Sequence, residues 1–256
     1  MKKVLVTAAV RQELSGLEKL LEASELLPGE RGCYLRGTLS GIEVLLGLTG
    51  IGAGRAGEKV GRFLDTEHPE LLLATGFGGG LTGTVSSGDI ILAQKVVEAS
   101  RGDQEPRELE TDETLLEALG AVSIPSATVC RGSLLTVEEV VCSARQKRAL
   151  GSRYGAEGVD MESYAILREA LKRGVPCIAG RAVLDEAGFD LPRGLGSIPD
   201  SDGRLDAMKL AALVLRRPWS IPGLFALRSR SLRASTSLAA FVKAAVLARK
   251  DSSHDA

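Results

Sequence analysis

Aromatic residues, histidine and cysteine are all scarce in this sequence, and their scarcity excludes several kinds of site. Phe, Trp and Tyr make up 4% of the 256 residues, and there are 2 histidines. The 4 cysteines are scattered, with no Cys-x-x-Cys pair and no histidine at a metal-ligand spacing. We therefore expect reduced thiols and no structural zinc or other metal site.

Long apolar segments are also missing. No uninterrupted run reaches the roughly 18 apolar residues of a membrane-spanning helix. The apolar start, MKKVLVTAAV, is followed at once by Arg11, Gln12 and Glu13, which favours a first strand over a signal peptide. The formal net charge of −1 points to no particular partner. We expect a cytoplasmic protein.

Short apolar runs typical of buried strands alternate with longer stretches of helical periodicity. This alternation predicts an α/β fold, a single domain with a central mixed, mainly parallel sheet flanked by helices. Ser40-Gly41 indicates a turn between two of the strands. We predict strands at 3–10, at two places within 32–50, and at 70–81, 89–99, 126–136, 156–161 and 176–185, and helices at 53–68, 112–119, 143–153, 162–173 and 203–217.

The composition changes near residue 216, which divides the chain into a domain at 1–215 and a basic amphipathic C-terminal extension at 216–256. Residues 216–250 contain eight Lys or Arg residues and no acid. Such a segment is a solvated surface helix, a helix that contacts an anionic membrane surface or a partner, or a cover folded back over the core. Its apolar residues are Leu224, Phe225, Leu227, Leu232, Leu238, Phe241, Val242 and Val246.

Carboxylates and glycines follow several of the predicted strands. Glu13 follows the first strand, Gly76–Gly80 follow LLLAT, Asp160 and Glu162 follow AEGV, and Asp185 ends IAGRAVLD. Ligands of open α/β sheets bind at the carboxyl ends of strands, so we expect these residues to share one rim.

Each of these residues also has a local explanation. Glu162 suits the first turn of a helix and Asp160 suits an N-cap, while Glu13 could be a surface acid and Asp185 could cap the next turn. The run TGFGGGL contains GxGGG rather than the GxGxxG of dinucleotide sites. It is better interpreted as a turn that lets the backbone approach a ligand closely.

Four segments, in order, resemble the nucleoside phosphorylase and nucleosidase family, which includes methylthioadenosine/S-adenosylhomocysteine nucleosidases. VTAAVRQEL is similar to the family's first strand and catalytic loop, and TGFGGGL is similar to TGSAGGL. GVDMESYAI resembles VEMEAAAIA, and GRAVLDEA resembles VRAISDxA. The resemblance implies a nucleoside phosphorylase-like fold, a homodimer or larger assembly, and cleavage of a purine N-glycosidic bond. It implies no cofactor, with phosphate as an optional co-substrate, and no nucleic-acid partner.

The resemblance also implies roles for individual residues. Asp185 would protonate N7 of the leaving purine, and Glu13 would orient and deprotonate water. Glu162 would accept hydrogen bonds from the ribose hydroxyls, with Met161 against the sugar, so that Asp160, Met161 and Glu162 form a ribose cradle.

This sequence departs from the family pattern at four places. Phe77 stands where the family has serine, and Leu184 replaces a serine before the catalytic aspartate. Asp160 is shorter than the usual glutamate, and Ala74 stands where some phosphorylases have a phosphate-binding arginine. Water and phosphate therefore both stay open as the nucleophile. The remaining expected contacts are Gly76, Phe77 and Gly78 for the substrate, and Thr7, Arg11 and Gly79 as candidates for anion binding.

Further segments, among them LTVEEVVCSARQKRAL, DEAGFDLP, DSDGRLD and the basic tail, resemble the hopanoid-associated phosphorylase branch. This resemblance implies cleavage of adenosylhopane to adenine and ribosylhopane or its phosphate, with the tail in peripheral contact with the inner membrane surface. One alternative is a soluble nucleosidase for methylthioadenosine, adenosylhomocysteine or futalosine. Another is a non-catalytic nucleoside-binding protein, which does not require Glu13, Glu162 and Asp185 together.

Overall fold

The computed structural model describes residues 3–27, 33–100, 105–125, 127–191 and 221–251, and the side chains of the last range at 225–248. The helix predicted at 203–217 lies outside these ranges. The strands are β1 (Lys3–Ala8), β2 (Glu22–Leu26), β3 (Cys33–Leu39), β4 (Ile42–Leu48), β5 (Leu71–Gly80), β6 (Ile90–Glu98), β7 (Arg107–Glu110), β8 (Val129–Thr136), β9 (Gly158–Asp160) and β10 (Cys177–Asp185). The helices are α1 (Arg11–Glu18), α2 (Ala53–Glu67), α3 (Glu113–Gly120), α4 (Ala144–Tyr154), α5 (Ser163–Lys172) and α6 (Ile221–Asp251).

The strands of the described ranges form a single mixed sheet in the order β10-β6-β8-β9-β5-β1-β4-β3-β2, with β7 paired to β6. Its longest pairings, β10 with β5 and β6 with β8, are parallel. Because β10 pairs with β5 as well as with β6, the strands β5, β10, β6, β8 and β9 close into a ring. The α/β sheet flanked by helices is confirmed.

Local sequence explains several elements directly. Ser40 and Gly41 both have positive φ angles, 52° and 84°, and form the two-residue turn between β3 and β4, as predicted. In α2, Ala56, Val60 and Leu64 are buried at the expected helical spacing.

The sheet has a separate apolar core on each face. One core contains Phe63 of α2 and Leu167 of α5, together with the side chains of the central strands that point to that face. The other contains Leu14 and Leu17 of α1 and the apolar residues of α3 and α6. Helices therefore cover both faces, and the edges of the sheet are left to β2 and β7.

The C-terminal helix α6 is a structural part of this core. Phe241 is 1% exposed, and Leu238, Val242 and Val246 are buried beside it. Gly180 of β10 provides the space, because a Cβ there would lie 2.8 Å from a ring carbon of Phe241. The sequence allowed a surface helix, a membrane or partner contact, or a segment folded back over the core. The burial of Phe241 supports the segment folded back over the core, whereas Phe225 is 69% exposed.

Composition alone would also allow α6 another interpretation. Within the described residues, Phe225–Ala248 is long enough to cross a membrane, and a stretch of 18 residues within it is apolar enough, with a mean hydropathy of 1.2. However, 56% of those 18 residues are buried inside the protein. Its buried residues pack against β10 and α1, which is the arrangement of a core helix.

Three elements were not anticipated. Arg11–Glu18 is a helix rather than a catalytic loop, and it carries Glu13 in its first turn. The strands β2 and β7 are formed by the polar segments EASEL and RELE, whose residues are mostly exposed. Neither segment alternates apolar with polar residues, so pairing with β3 and β6 is what makes them strands.

Candidate active site

The guanidinium of Arg181, on β10, organises the carboxylates that the sequence indicated. Arg181 is 1% exposed, and its Nε lies 2.7 Å from Oδ2 of Asp160. It also donates to Oγ of Ser163 at 3.1 Å and, through Nη1, to the carbonyl of Thr75 at 3.0 Å. Its Nη2 lies 3.7 Å from Oε2 of Glu162. A buried cation requires such partners, because desolvation would otherwise cost several kcal/mol.

Asp160 was expected to contact the ribose, but both of its carboxylate oxygens accept hydrogen bonds from protein groups. Its Oδ1 accepts from the Thr136 hydroxyl at 2.8 Å, and its Oδ2 accepts from the N–H of Ser163 at 3.1 Å as well as pairing with Arg181. The side chain has no solvent-accessible area. Asp160 therefore anchors Arg181 and caps the start of α5, and the prediction that it is a substrate contact is corrected.

Glu162 lies where two helices begin. It is the residue before α5, and its Oε1 accepts from the N–H of Gly52, the residue before α2, at 2.8 Å. Burial raises the pKa of Glu162 to about 7; Arg181 opposes this shift, and the neighbouring Asp160 and Glu13 add to it. The carboxyl group therefore gains or loses its proton close to neutral pH.

Glu13 reaches the same place from α1. Its Oε1 accepts from the N–H of Phe77 at 2.7 Å, and its Oε2 accepts from the N–H of Val10 at 3.0 Å. Burial raises its pKa, while these backbone hydrogen bonds and the charge of Arg181 act in the opposite direction. The surface-acid interpretation of Glu13 is wrong, since the residue is buried.

The glycine run of β5 allows these side chains to approach the backbone. Gly76 has φ of 150°, and a Cβ there would collide with Nη1 of Arg181 and lie 3.0 Å from Oε1 of Glu13. At Gly79 a Cβ would lie 3.5 Å from Oδ2 of Asp185. The run is part of the strand and not a turn after it. The absence of side chains in this run lets Glu13, Arg181 and Asp185 lie against the backbone of β5.

A β-bulge precedes Asp185. Val183 and Asp185 pair with the consecutive residues Gly78 and Gly79, so Leu184 is the extra residue on β10. Asp185 is buried beside the ammonium of Lys147, which donates to its Oδ2. Burial raises the pKa of Asp185, and the positive charge of Lys147 is the largest influence in the opposite direction.

The three candidates for anion binding have different locations. Arg11 points to the surface, where its side chain is 63% exposed and pairs with Glu18, so its assignment to the site is corrected. Thr7 is fully buried at the end of β1, and its hydroxyl has no hydrogen-bond partner within the described part of the chain. Gly79 lies beside Asp185.

Half-buried residues border the acidic cluster. This cluster consists of four buried acids and the two buried cations bound to them, Glu13, Asp160, Glu162, Asp185, Arg181 and Lys147. Met161 and Phe77, both expected to contact the substrate, are partly exposed, as are Gly78 and Leu184. Gly76 is itself buried behind Arg181 and Glu13. The accessible border is therefore mainly apolar, with the buried acids behind it.

Sequence reasoning missed Arg181 and Lys147. Arg181 has a local signal, because it is a cation within the apolar run CIAGRAVL, where a charge needs partners. Lys147 has none, since SARQKRAL has the composition of a solvated helix surface.

Comparison with solved structures supports the fold over almost the whole chain. A mutant of futalosine hydrolase from Helicobacter pylori aligns with a TM-score of 0.72 at 17% identity, covering 96% of this chain and 99% of that one. The 5′-methylthioadenosine/S-adenosylhomocysteine nucleosidase of Neisseria meningitidis, in complex with methylthio-immucillin-A, aligns with a TM-score of 0.69 at 21% identity, covering 95% and 99%. Such coverage includes much of the segment after residue 216, which agrees with the place of α6 in the core.

Sequence comparison gives a consistent result. The 5′-methylthioadenosine/S-adenosylhomocysteine nucleosidase of Chromohalobacter salexigens is 24% identical over 234 residues, covering 84% of this chain and 98% of that protein. Residues 3–217, which hold every element of the acidic cluster, match the family model described as phosphorylase superfamily. The chain therefore belongs to the phosphorylase superfamily.

Proposed function

We propose that this protein is a nucleosidase that cleaves the N-glycosidic bond of an adenine nucleoside. The observation that carries the proposal is a set of three buried carboxyl groups: Glu13 and Asp185 lie along the glycine run of β5, and Glu162 shares Arg181 with Glu13. The similar proteins named above are nucleosidases and a futalosine hydrolase. Their names supply the substrate class, and the chemistry of the acids supplies the mechanism.

Asp185 is the proposed general acid. Adenine is a poor leaving group as an anion, and the bond breaks through an oxocarbenium-like state. Burial favours the protonated form of Asp185, which gives its proton to N7 while the electrons of the C1′–N9 bond pass to the base. Water then attacks C1′ and releases a proton, which Glu13 accepts.

Glu162 is the proposed ribose contact. Its Oε1 is held by the N–H of Gly52, while no described residue donates to Oε2 within hydrogen-bond distance. Oε2 can therefore accept from ribose hydroxyls when Glu162 is ionised. Half-buried Met161 would lie against the sugar.

The charge balance favours water over phosphate as the nucleophile. The two buried cations of the described residues there are already engaged: Arg181 is shared by Asp160, Glu162 and Glu13, and Lys147 is bound to Asp185. A phosphate dianion would add negative charge to this cluster, because Arg11 is directed elsewhere and Ala74 is a buried strand residue.

For the substrate's 5′ substituent we propose a bulky lipid, as in adenosylhopane. Half-buried Phe77 and Leu184, beside the acids, offer apolar contact. The outer side of α6 exposes Phe225 and Leu232 together with the nearby Arg228 and Arg233, and we propose that this side makes peripheral contact with an anionic membrane. Methylthioadenosine, adenosylhomocysteine and futalosine are the alternative substrates.

The test is adenine release by the purified full-length chain. Methylthioadenosine, adenosylhopane and futalosine are supplied in turn, each with and without phosphate, and the free purine base is measured. We expect release that does not depend on phosphate, and faster release from adenosylhopane. If neither substrate nor futalosine is cleaved, the nucleosidase proposal is wrong, and a phosphate requirement would make the protein a phosphorylase.

The oligomeric state is part of the same proposal. The resemblance implies a homodimer or larger, and light scattering of the purified chain tests it. A monomer of about 27 kDa that is fully active would contradict it.

A further inference from the structure

Lys147 is completely buried, and the protein supplies an acceptor for each hydrogen of its ammonium group. It is 0% exposed, and it donates to Oδ2 of Asp185, to the carbonyl of Glu186 at 3.1 Å and to the carbonyl of Phe189 at 2.7 Å. An ammonium group has three hydrogens to donate. Burial of this charge costs several kcal/mol unless it is paired and hydrogen-bonded, which is the state observed.

The lysine lies in a segment that is fixed on both sides. The N–H of Ala144, at the start of α4, donates to Oδ1 of Asp190 at 2.6 Å, and the N–H of Leu191 donates to the carbonyl of Cys142 at 2.8 Å. The start of α4 and residues 186–191 therefore form one hydrogen-bonded unit. Lys147 connects this unit to the bulged end of β10.

The two carboxylate oxygens of Asp185 have different hydrogen-bond partners. Oδ2 accepts from Lys147, whereas no residue in the described ranges donates to Oδ1. Oδ1 is therefore the oxygen left to carry a proton toward a bound base. Within the described ranges, the other charged groups that face Asp185 are Arg230 from α6 and Glu186 from the following loop, and the Cys142 thiol is also close.

We propose that Lys147 is a positioning residue for Asp185, orienting the carboxyl group with Oδ1 toward the base and placing a positive charge beside it. This inference rests on the proposed function, since it gives Asp185 the role of general acid. The two carbonyl contacts alone would suit a purely structural lysine. The contact with Asp185 adds a property that a structural role does not predict, a charge effect on the acid.

The sign of that effect can be worked out. The ammonium stabilises the ionised form of Asp185, so its removal raises the pKa of Asp185 further. Asp185 then stays protonated to higher pH, and the alkaline limb of the activity profile moves upward. The acid is also weaker and less well oriented, so the maximal rate falls.

The experiment compares the wild type with Lys147→Met, Lys147→Arg and a matched control, Lys3→Met. Lys3 also pairs with a carboxylate and donates to a carbonyl, both of Glu67, at the far end of β1. The kcat/KM for adenine release from methylthioadenosine is measured from about pH 5 to about pH 10, with thermal unfolding of each variant. For Lys147→Met we expect the alkaline limb to rise by about 1 pH unit or more, because a nearby opposite charge shifts a carboxyl pKa by 1–3 units.

Lys147→Arg keeps the charge and should keep the limb within a few tenths of a pH unit of the wild type, at a reduced rate. Lys3→Met should leave the profile unchanged. A Lys147→Met variant with lower activity and an unmoved limb would overturn the proposal and leave Lys147 a structural residue. If that variant does not fold, Lys147→Gln, which keeps an amide donor for the two carbonyls, replaces it, and failure of both to fold also overturns the proposal. A wild type that releases no adenine from any nucleoside would instead refute the proposed function.

Discussion

At the residue scale, Asp185 carries the most direct prediction. Asp185→Asn keeps the size of the side chain and its oxygen acceptor for Lys147 but removes the transferable proton. General acid catalysis contributes about 10²–10⁴-fold to rate, so we expect kcat for adenine release to fall by about that factor. Asp65→Asn, at an exposed acid that pairs with Arg173, is the control and should retain full activity. Normal turnover by a folded Asp185→Asn protein would exclude Asp185 as the acid.

Glu162 predicts a pH dependence on the acidic side. Its pKa of about 7 means that it becomes protonated as the pH falls through neutrality, and it then loses its capacity to accept two ribose hydrogen bonds. We expect kcat/KM to decline below about pH 7 in the wild type. Glu162→Gln should abolish this decline and lower kcat/KM at higher pH, since a charge-assisted hydrogen bond is worth about 1.5–3 kcal/mol.

A 2′-deoxy substrate is the control for that assignment. It lacks one of the hydroxyls that Glu162 would accept from, so Glu162→Gln should affect it less than the ribonucleoside. Equal sensitivity of both substrates would reduce Glu162 to an acid that only stabilises the start of α5.

The candidate site was predictable from sequence to the extent that it consists of acids next to glycines. Glu13, Glu162 and Asp185 stand at recognisable ends of strands, and the structure brings Glu13 and Asp185 to the glycines of β5 and Glu162 to Arg181. Arg181 and Lys147 were not predictable, because a side chain that reaches its partners across the sheet leaves no local periodicity. The error at Asp160 has the same origin, since its partners Thr136 and Arg181 are distant in sequence.

At the element scale, α6 predicts a sharp contrast between two phenylalanines. Phe241 is buried against Gly180, and Phe241→Ala should lower the free energy of unfolding by about 3–5 kcal/mol. Phe225 is on the same helix but 69% exposed, and Phe225→Ala should change the free energy of unfolding by no more than about 0.5 kcal/mol. Urea denaturation followed by circular dichroism measures both. Similar values for the two variants would contradict the packing of α6 described above.

Elements with strong periodicity, such as α2 and the hairpin of β3 and β4, follow from the sequence almost residue by residue. The role of α6 does not, because a core helix and a membrane-surface helix share the same apolar composition. Only the small residues that face it, such as Gly180 and Gly16, distinguish the two, and they lie far away in the chain.

At the scale of the whole molecule, the outer side of α6 predicts salt-sensitive adsorption to anionic lipid. Each Lys or Arg near such a surface contributes about 1 kcal/mol, and exposed Phe225 and Leu232 add apolar contact. We expect the folded chain to co-sediment with phosphatidylserine-containing vesicles at low salt and to be released at high salt. Replacing Arg228 and Arg233 with Gln should weaken binding while leaving adenine release from methylthioadenosine unchanged. If the intact chain does not co-sediment with these vesicles at low salt, the proposed membrane contact is wrong.

The ring of strands has a consequence for the order in which the molecule can be assembled. β10, at residues 177–185, is inserted between β5 and β6, which are separated from it by about a third of the chain, and α6 then covers its face. Contacts between residues so far apart form late and slowly. While β10 is still inside the ribosome, the nascent chain exposes the open edges of β5 and β6 to other chains. We therefore expect this protein to depend on chaperones during synthesis more than its modest length suggests, and to form its acidic cluster only once β10, which carries Arg181 and Asp185, has emerged.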